Sequence, residues 1–277
     1  MGLELIPAKM TQVLTEEELM KELPSCEGWI IGDDPASYRV FASGREGKLR
    51  AAVKWGIGVD NVDFDACSAL DIPIANTPNM FGGEVADLAI GYIIALARKT
   101  FEIDRGIRSG DWPKPAGVSI SGKTVGVVGF GDIGKSLVNR LGGFDVRAYV
   151  YDPGVTGSEG FDFVIRKTFP DGLGDVDFLV FTCALNKHNF HMLNVETLRL
   201  LKHGSAVINV ARGPLIQEEA LIVELKRGHI SSVALDVFEN EPLPVSSPLR
   251  TIPNCIFGSH NGSNTVEGVR RATMVAI

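Results

Sequence analysis

Short apolar runs alternate with helical patterns along the whole chain. The runs GWIIG (28–32), AAVKW (51–55) and IPIAN (72–76) read as strands, with helical stretches such as TEEELMKEL (15–23) around them. Thr15 with Glu18 three residues on predicts a capping box. A long helix is expected from Gly83 to Lys99, with Glu84 and Asp87 early and Arg98 and Lys99 late, as the helix dipole favours. The stretch RSGDWPKPAG (108–117) reads as a crossover between domains. From Ser121 the pattern sharpens. TVGVVG, VRAYVYD, DFLVFTC (177–183), SAVINV (205–210), SSVALDV (231–237) and CIFGSH (255–260) read as strands. DIGKSLVNRL reads as a helix, and QEEALIVELKRG (217–228) as another, stopped by Gly228. The last residues, VEGVRRATMVAI, look like the start of one more helix. Strands alternating with helices predict parallel sheets covered on both faces. One domain is expected at 1–78, joined by the helix beginning at 266–277, and a second at 79–265.

Composition removes several classes of function. A net charge of -7 without a basic run argues against nucleic acid, whose phosphates need clustered Lys and Arg. The longest apolar run, Leu88 to Ala97, has about half the length of a membrane span and reads as a buried helix. The opening MGLELIPAKM lacks the charged start and long apolar core of a secretory signal. Cys26, Cys67, Cys183 and Cys255 are scattered without a C-x-x-C pair, so neither a metal site nor a disulfide framework is expected, and a reducing cytoplasm fits.

Candidate chemistry begins at VGVVGFGDIGKSL. Gly129, Gly131 and Gly134 form G-x-G-x-x-G between a strand and a helix, the context that gives the pattern meaning. Gly129 permits the tight turn, Gly131 lets backbone approach a pyrophosphate, and Gly134 lets helix and strand pack closely. The N–H groups of Asp132 and Ile133 would then face the phosphates at the helix N-terminus. Asp152 ends the next strand, 18 residues after Gly134. A carboxylate there accepts from a ribose diol and repels a 2′-phosphate, so NAD is favoured over NADP.

The later strands each end in a polar residue. SAVINV leads to Arg212, SSVALDV contains Asp236, Glu241 follows in DVFENEP, and CIFGSH ends in His260. If these strands are parallel, all four residues converge on the carboxyl edge, where ligands of open α/β sheets bind. Arg212 could instead be a surface ion-pair partner and Asp236 a loop cap. Glu239 competes with Glu241. His188, His191, His203 and His229 read as surface or packing residues.

KWGIGVDNVDFDA, IPIANTPNM, EVADLAIGYIIALAR, GKTVGVVGFGDIGKSL, NVARGPLI, ALDVFENEPL and SHNGSNT together resemble the NAD-dependent D-2-hydroxyacid dehydrogenases, the family of phosphoglycerate dehydrogenase and hydroxypyruvate reductase. The resemblance implies a Rossmann-type doubly wound parallel sheet plus a smaller flavodoxin-like α/β substrate domain, and a homodimer formed through the nucleotide domain. It implies Arg212 gripping the substrate carboxylate and carbonyl, His260 as acid/base, and Glu241 orienting that histidine. Asp236 would bind the nicotinamide amide and Cys183 would join the cofactor contacts. The backbone of Ile57 and Gly58 would cradle the substrate carboxylate, and Lys54 could meet an anion. The function implied is hydride transfer between NAD(H) and a small D-2-hydroxy or 2-oxo acid. An NADH-sensing corepressor, or a dehydrogenase of another small anion such as phosphonate, would be alternatives on the same fold.

The chain also departs from the family pattern. GLELIPAKM matches the segment after the family's first strand and helix, so that unit is expected to be absent or clipped here. SHNGSNT replaces the usual PHIGG-T, and ALNKHN replaces PLT-x-x-T. Asp33 and Asp34 stand where phosphoglycerate enzymes have an Arg-Ser pair, which suits a phosphate poorly.

Overall fold

A computed structural model describes residues 4–9, 13–155 and 160–277. The opening stretch MGLELIPAKM therefore lies partly outside the described residues. In chain order the elements are α1 (Glu16–Glu22), β1 (Gly28–Ile31), α2 (Tyr38–Glu46), β2 (Ala51–Lys54), α3 (Phe64–Ala69), β3 (Ile74–Asn76), α4 (Gly82–Arg98), α5 (Thr100–Arg108), β4 (Thr124–Val128), α6 (Asp132–Leu141), β5 (Arg147–Tyr151), β6 (Val164–Arg166), β7 (Phe178–Phe181), α7 (Val195–Leu200), β8 (Ser205–Asn209), α8 (Glu218–Lys226), β9 (Ile230–Leu235), β10 (Cys255–Phe257) and α9 (Val266–Ala276). The chain divides into two compact units, Met1–Met80 with Val266–Ile277, and Phe81–Thr265.

The first unit carries a three-stranded parallel sheet in the order β1-β2-β3. Parallel neighbours need a crossover, and α2 and α3 supply it. Helix α1 begins as its sequence demands: the Thr15 side chain accepts from the Glu18 N–H, and the Glu18 side chain accepts from the Thr15 N–H. Its Leu19 packs with Trp29, Ile31, Phe41 and Leu49 in one buried cluster. Trp29 meets Phe41 edge-on at 5.4 Å between centroids. Burying each such side chain contributes about 1.5–3 kcal/mol, which is what holds so small a sheet together.

The second unit is built on seven parallel strands in the order β10-β9-β8-β7-β4-β5-β6. The chain winds outward from β4 to β6, then returns to the other side of β4 and winds out to β10. Strands β4, β7 and β8 are buried at every position, as expected of parallel strands covered on both faces. Helix α4 is largely buried, as its apolar run predicts. Val85, Ala86, Ala89, Tyr92, Ile93, Ala95 and Ala97 are all buried, so much of its apolar surface is covered within the unit. Three elements escape the pattern reading. α5 has no buried residue, α7 has only six residues, and β6 is a three-residue edge strand. Among the described residues no helix is long and apolar enough to cross a membrane, and no group of His, Cys, Asp and Glu could hold a metal ion.

Candidate active site

Sequence order reverses between β4 and β7, and this switch point is where open α/β sheets bind ligands. The glycine turn sits there. Gly129 has φ +96, and a Cβ on it would lie 2.6 Å from Cys183 Cα. A Cβ on Gly134 would lie 2.1 Å from the Gly129 carbonyl oxygen. The protein's own packing therefore requires both glycines. Gly131 differs: it is exposed, its backbone is extended (φ -76, ψ -156), and a Cβ there would meet nothing within 4 Å. The open space over Gly131 fits the close approach of a pyrophosphate. No side chain caps α6, so the N–H groups of Asp132 and Ile133 open its first turn without a capping carboxylate or hydroxyl.

Asp152 follows β5 directly. Its Oδ2 accepts from the Phe130 N–H at 2.7 Å and its Oδ1 from the Gly154 N–H at 2.7 Å. The carboxylate thus fixes the glycine turn, and its remaining lone pairs are available to a ribose diol. Cys183 walls the other side of the switch point. Burial pushes its thiol up to about 11, so it stays protonated and unreactive at neutral pH.

The catalytic candidates lie on the same carboxyl edge. Asn209 is the last residue of β8, and its buried side chain shapes the turn that carries Arg212. Its Nδ2 donates to the Arg212 carbonyl at 2.8 Å, and its Oδ1 accepts from the Ala211 N–H at 3.0 Å. Beyond the strand ends the backbone ladder continues: the Asp236 N–H donates to the Asn209 carbonyl at 2.9 Å and the His260 N–H to the Asp236 carbonyl at 2.7 Å. Packing is tight. A Cβ on Gly213 would lie 1.9 Å from the carbonyl of Phe238, so the loop after Arg212 sits directly on the loop after β9.

His260 is held at φ +55, a left-handed conformation costly for a non-glycine residue. Asp236 sustains it. The buried carboxylate accepts from the Asn261 N–H at 3.2 Å and the Gly262 N–H at 2.9 Å, and Tyr92 of α4 bonds to it through its hydroxyl. Burial raises the Asp236 pKa, and the two backbone donors oppose that rise. The His260 Nδ1 lies 2.7 Å from Glu241 Oε2, while Glu241 Oε1 accepts from the Phe238 N–H at 2.9 Å. Glu239 points elsewhere, to His191 at 2.6 Å. The geometry therefore pairs Glu241, not Glu239, with the histidine. Asn209, Tyr92 and His191 were not legible as site residues. Asn209 and Tyr92 lie within apolar runs, and no short motif marks the contacts they make.

In the first unit, Lys54 ends β2 and is buried. Its ammonium donates to the Gly32 carbonyl and lies 3.3 Å from Asp33 Oδ1. Ile57 is exposed and Gly58 half-buried in the loop that follows.

A doubly wound sheet with a glycine turn at its switch point, and a histidine–carboxylate pair on the same edge, defines a nicotinamide-dependent dehydrogenase. Residues 90–262 match the D-isomer specific 2-hydroxyacid dehydrogenase, NAD binding domain. Over 259 residues the chain is 37% identical to glyoxylate/hydroxypyruvate reductase B of Serratia proteamaculans, covering 91% of this chain and 79% of the relative. It is 35% identical over 239 residues to glyoxylate reductase of Thermofilum pendens, covering 82% and 70%. The apo-structure of D-lactate dehydrogenase from Escherichia coli superposes with a TM-score of 0.84 at 28% identity, covering 95% of this chain and 84% of that one. The chain belongs to the D-isomer specific 2-hydroxyacid dehydrogenases. It is an oxidoreductase that transfers hydride between NAD(H) and a small 2-hydroxy or 2-oxo acid.

Proposed function

We propose that this chain interconverts a small 2-oxo acid, such as glyoxylate or hydroxypyruvate, and its 2-hydroxy acid, with Arg212, Glu241 and His260 as the catalytic set. The observation that carries this reading is the 2.7 Å contact of His260 Nδ1 with Glu241 Oε2 on the edge that bears Arg212 and the glycine turn. Glu241 fixes the ring through Nδ1 and favours its charged form, leaving Nε2 to donate a proton to the carbonyl oxygen. In the reverse direction neutral Nε2 takes the hydroxyl proton. Arg212 offers a planar, permanently charged fork to the carboxylate. Bound NADH supplies the hydride for the carbonyl carbon. Gly129, Gly131, Asp132, Ile133 and Gly134 are the proposed pyrophosphate cradle, Asp152 the ribose acceptor, and Cys183 and Asp236 cofactor contacts. Lys54, Ile57 and Gly58 are proposed substrate contacts. Because Asp33 already neutralises Lys54, this lysine is a poor phosphate anchor, which favours an unphosphorylated substrate.

The reading includes a homodimer acting in the cytoplasm. Phe101, Ile107, Trp112 and Val118 of α5 and the segment after it are exposed, Trp112 by 77%. Phe101 and Val118 line an open cavity of about 510 Å³ at the amino edge of the seven-stranded sheet, walled also by Leu96, Phe178 and Ile256. So much apolar surface in one region fits an interface between copies.

The test is NADH oxidation with a panel of 2-oxo acids, repeated on Arg212→Ala and His260→Ala. Both variants should bind NADH and lose most turnover. Tight NADH binding by the parent without turnover of any 2-oxo acid would refute the enzymatic reading.

A further inference from the structure

The second unit holds another histidine–carboxylate pair, which the proposed chemistry does not use. His191 Nε2 lies 2.6 Å from Glu239 Oε1. Glu239 is two residues from Glu241, in the same loop. The His191 N–H donates to the Pro214 carbonyl at 2.8 Å, in the loop that follows Arg212. One residue thus grips both loops, one through its backbone and one through its side chain. It does so from a left-handed backbone at φ +50, with its ring stacked on Phe190 at 4.0 Å.

Glu239 is braced by Glu218 as well. Its N–H donates to Glu218 Oε1 at 2.6 Å, and the Glu218 N–H donates to Glu239 Oε1 at 3.2 Å. Glu218 opens α8, so the brace runs from that helix through Glu239 to His191. Glu218 and Glu239 are both acidic, and His191 is the one group of the three able to present an N–H or a positive charge from its side chain. Without it the backbone of residues 238–241 would lose a tether on the side facing the Arg212 loop.

We infer that His191 is a positioning residue: by holding Glu239 and Pro214 together, it sets where Glu241 meets His260 relative to Arg212. This rests on the proposed roles of Arg212, Glu241 and His260. A hydrogen bond from Nε2, rather than ring bulk, is the active element. Glutamine should replace it, because its amide N–H reaches the same place, and leucine should not.

The experiment compares the parent, His191→Leu, His191→Gln and Glu239→Gln by kcat, by KM for NADH and by the histidine ¹H–¹⁵N spectrum. In that spectrum the His260 Nδ1–H resonance is identified by its loss in His260→Gln. A misplacement of the order of an ångström costs up to about 100-fold in rate, so His191→Leu should lose about 10-fold or more in kcat. Its KM for NADH should stay within about twofold, because the dinucleotide cradle lies elsewhere on the sheet edge. The His260 resonance should move in His191→Leu and return to its parent position in His191→Gln, together with kcat. The inference is overturned if His191→Leu keeps parent kcat with an unmoved His260 resonance, or if His191→Gln behaves as His191→Leu does. Should the parent turn over no 2-oxo acid, the functional reading fails, while the His260 resonance still decides whether His191 positions the pair.

Discussion

Among the three glycines of the turn, the structure separates the two that the protein's own packing requires from Gly131, the one proposed to serve the ligand. On Gly129 or Gly134 a methyl group would overlap backbone atoms at 2.6 Å and 2.1 Å. Gly129 would also put a Cβ at φ +96. Strain of that kind costs about 1–3 kcal/mol, and forced overpacking about as much again. Gly129→Ala should therefore destabilise the protein by about 2–6 kcal/mol. Gly131→Ala should not, because its backbone is extended and its Cβ would meet nothing within 4 Å. The lost freedom of the unfolded chain should even stabilise it by about 0.4–1 kcal/mol.

The effect on NADH is expected to be the reverse. A methyl group on Gly131 would stand where the pyrophosphate approaches and would push it off the first-turn N–H groups. Each hydrogen bond to a charged oxygen contributes about 1.5–3 kcal/mol, so losing one should weaken NADH about 10- to 100-fold. Thermal denaturation without ligand and NADH fluorescence titration measure the two quantities separately. Gly131→Ala should keep or raise Tm while losing NADH affinity, and Gly129→Ala should lose Tm. If Gly131→Ala binds NADH as tightly as the parent, the diphosphate does not pass over that backbone and the cradle is wrongly placed.

Asp152→Asn keeps an acceptor for the Phe130 N–H but removes the charge that repels a 2′-phosphate; the ratio of kcat/KM for NADH over NADPH should fall by about tenfold or more, and an unchanged ratio would remove Asp152 from cofactor selection. Glu241→Gln leaves His260 without its anionic partner, so the reductive rate at neutral pH should fall about 10- to 100-fold and recover in part at lower pH, where the imidazole is charged without help; a flat pH response would refute the pairing. Burial holds the thiols of Cys183 and Cys255 at about 11 and about 12, above their unfolded value, so the folded state keeps protons that the unfolded chain has released above about pH 9. Stability is then fully present below that pH and falls as pH rises, by about 1.4 kcal/mol per pH unit for each thiol. Urea denaturation at pH 7, 9 and 10 should show that slope, and Cys183→Ala with Cys255→Ala should reduce it to the part left by Cys67, whose thiol burial also raises to about 11.

What the sequence made legible here follows from how far each signal travels along the chain. Strands β4, β7 and β8 are covered on both faces, so the residues between their polar ends are apolar or glycine and the runs can be seen directly. The turn at Gly129 and the cap at Thr15 were legible for the same reason, since each is a local steric or hydrogen-bonding demand met within a few residues. Elements α5 and β6 were not: α5 is amphipathic but buries no residue, and β6 is only three residues long. The site divides along the same line. Arg212, Asp236 and His260 each follow an apolar run, and parallel order alone brings strand ends to one edge. What selects Glu241 over Glu239 is the direction each side chain takes within a loop of no regular period, one toward His260 and the other toward His191. Motif register already favoured Glu241; the side-chain directions supply the physical reason. That choice is also where the chain spends its less common backbone conformations, with both histidines at positive φ and each tied by a backbone N–H to a loop distant in sequence. Holding two such residues costs a few kcal/mol of folding free energy. That cost is offset by the hydrogen bonds that fix each histidine against its own carboxylate, and so keep the two carboxylates apart.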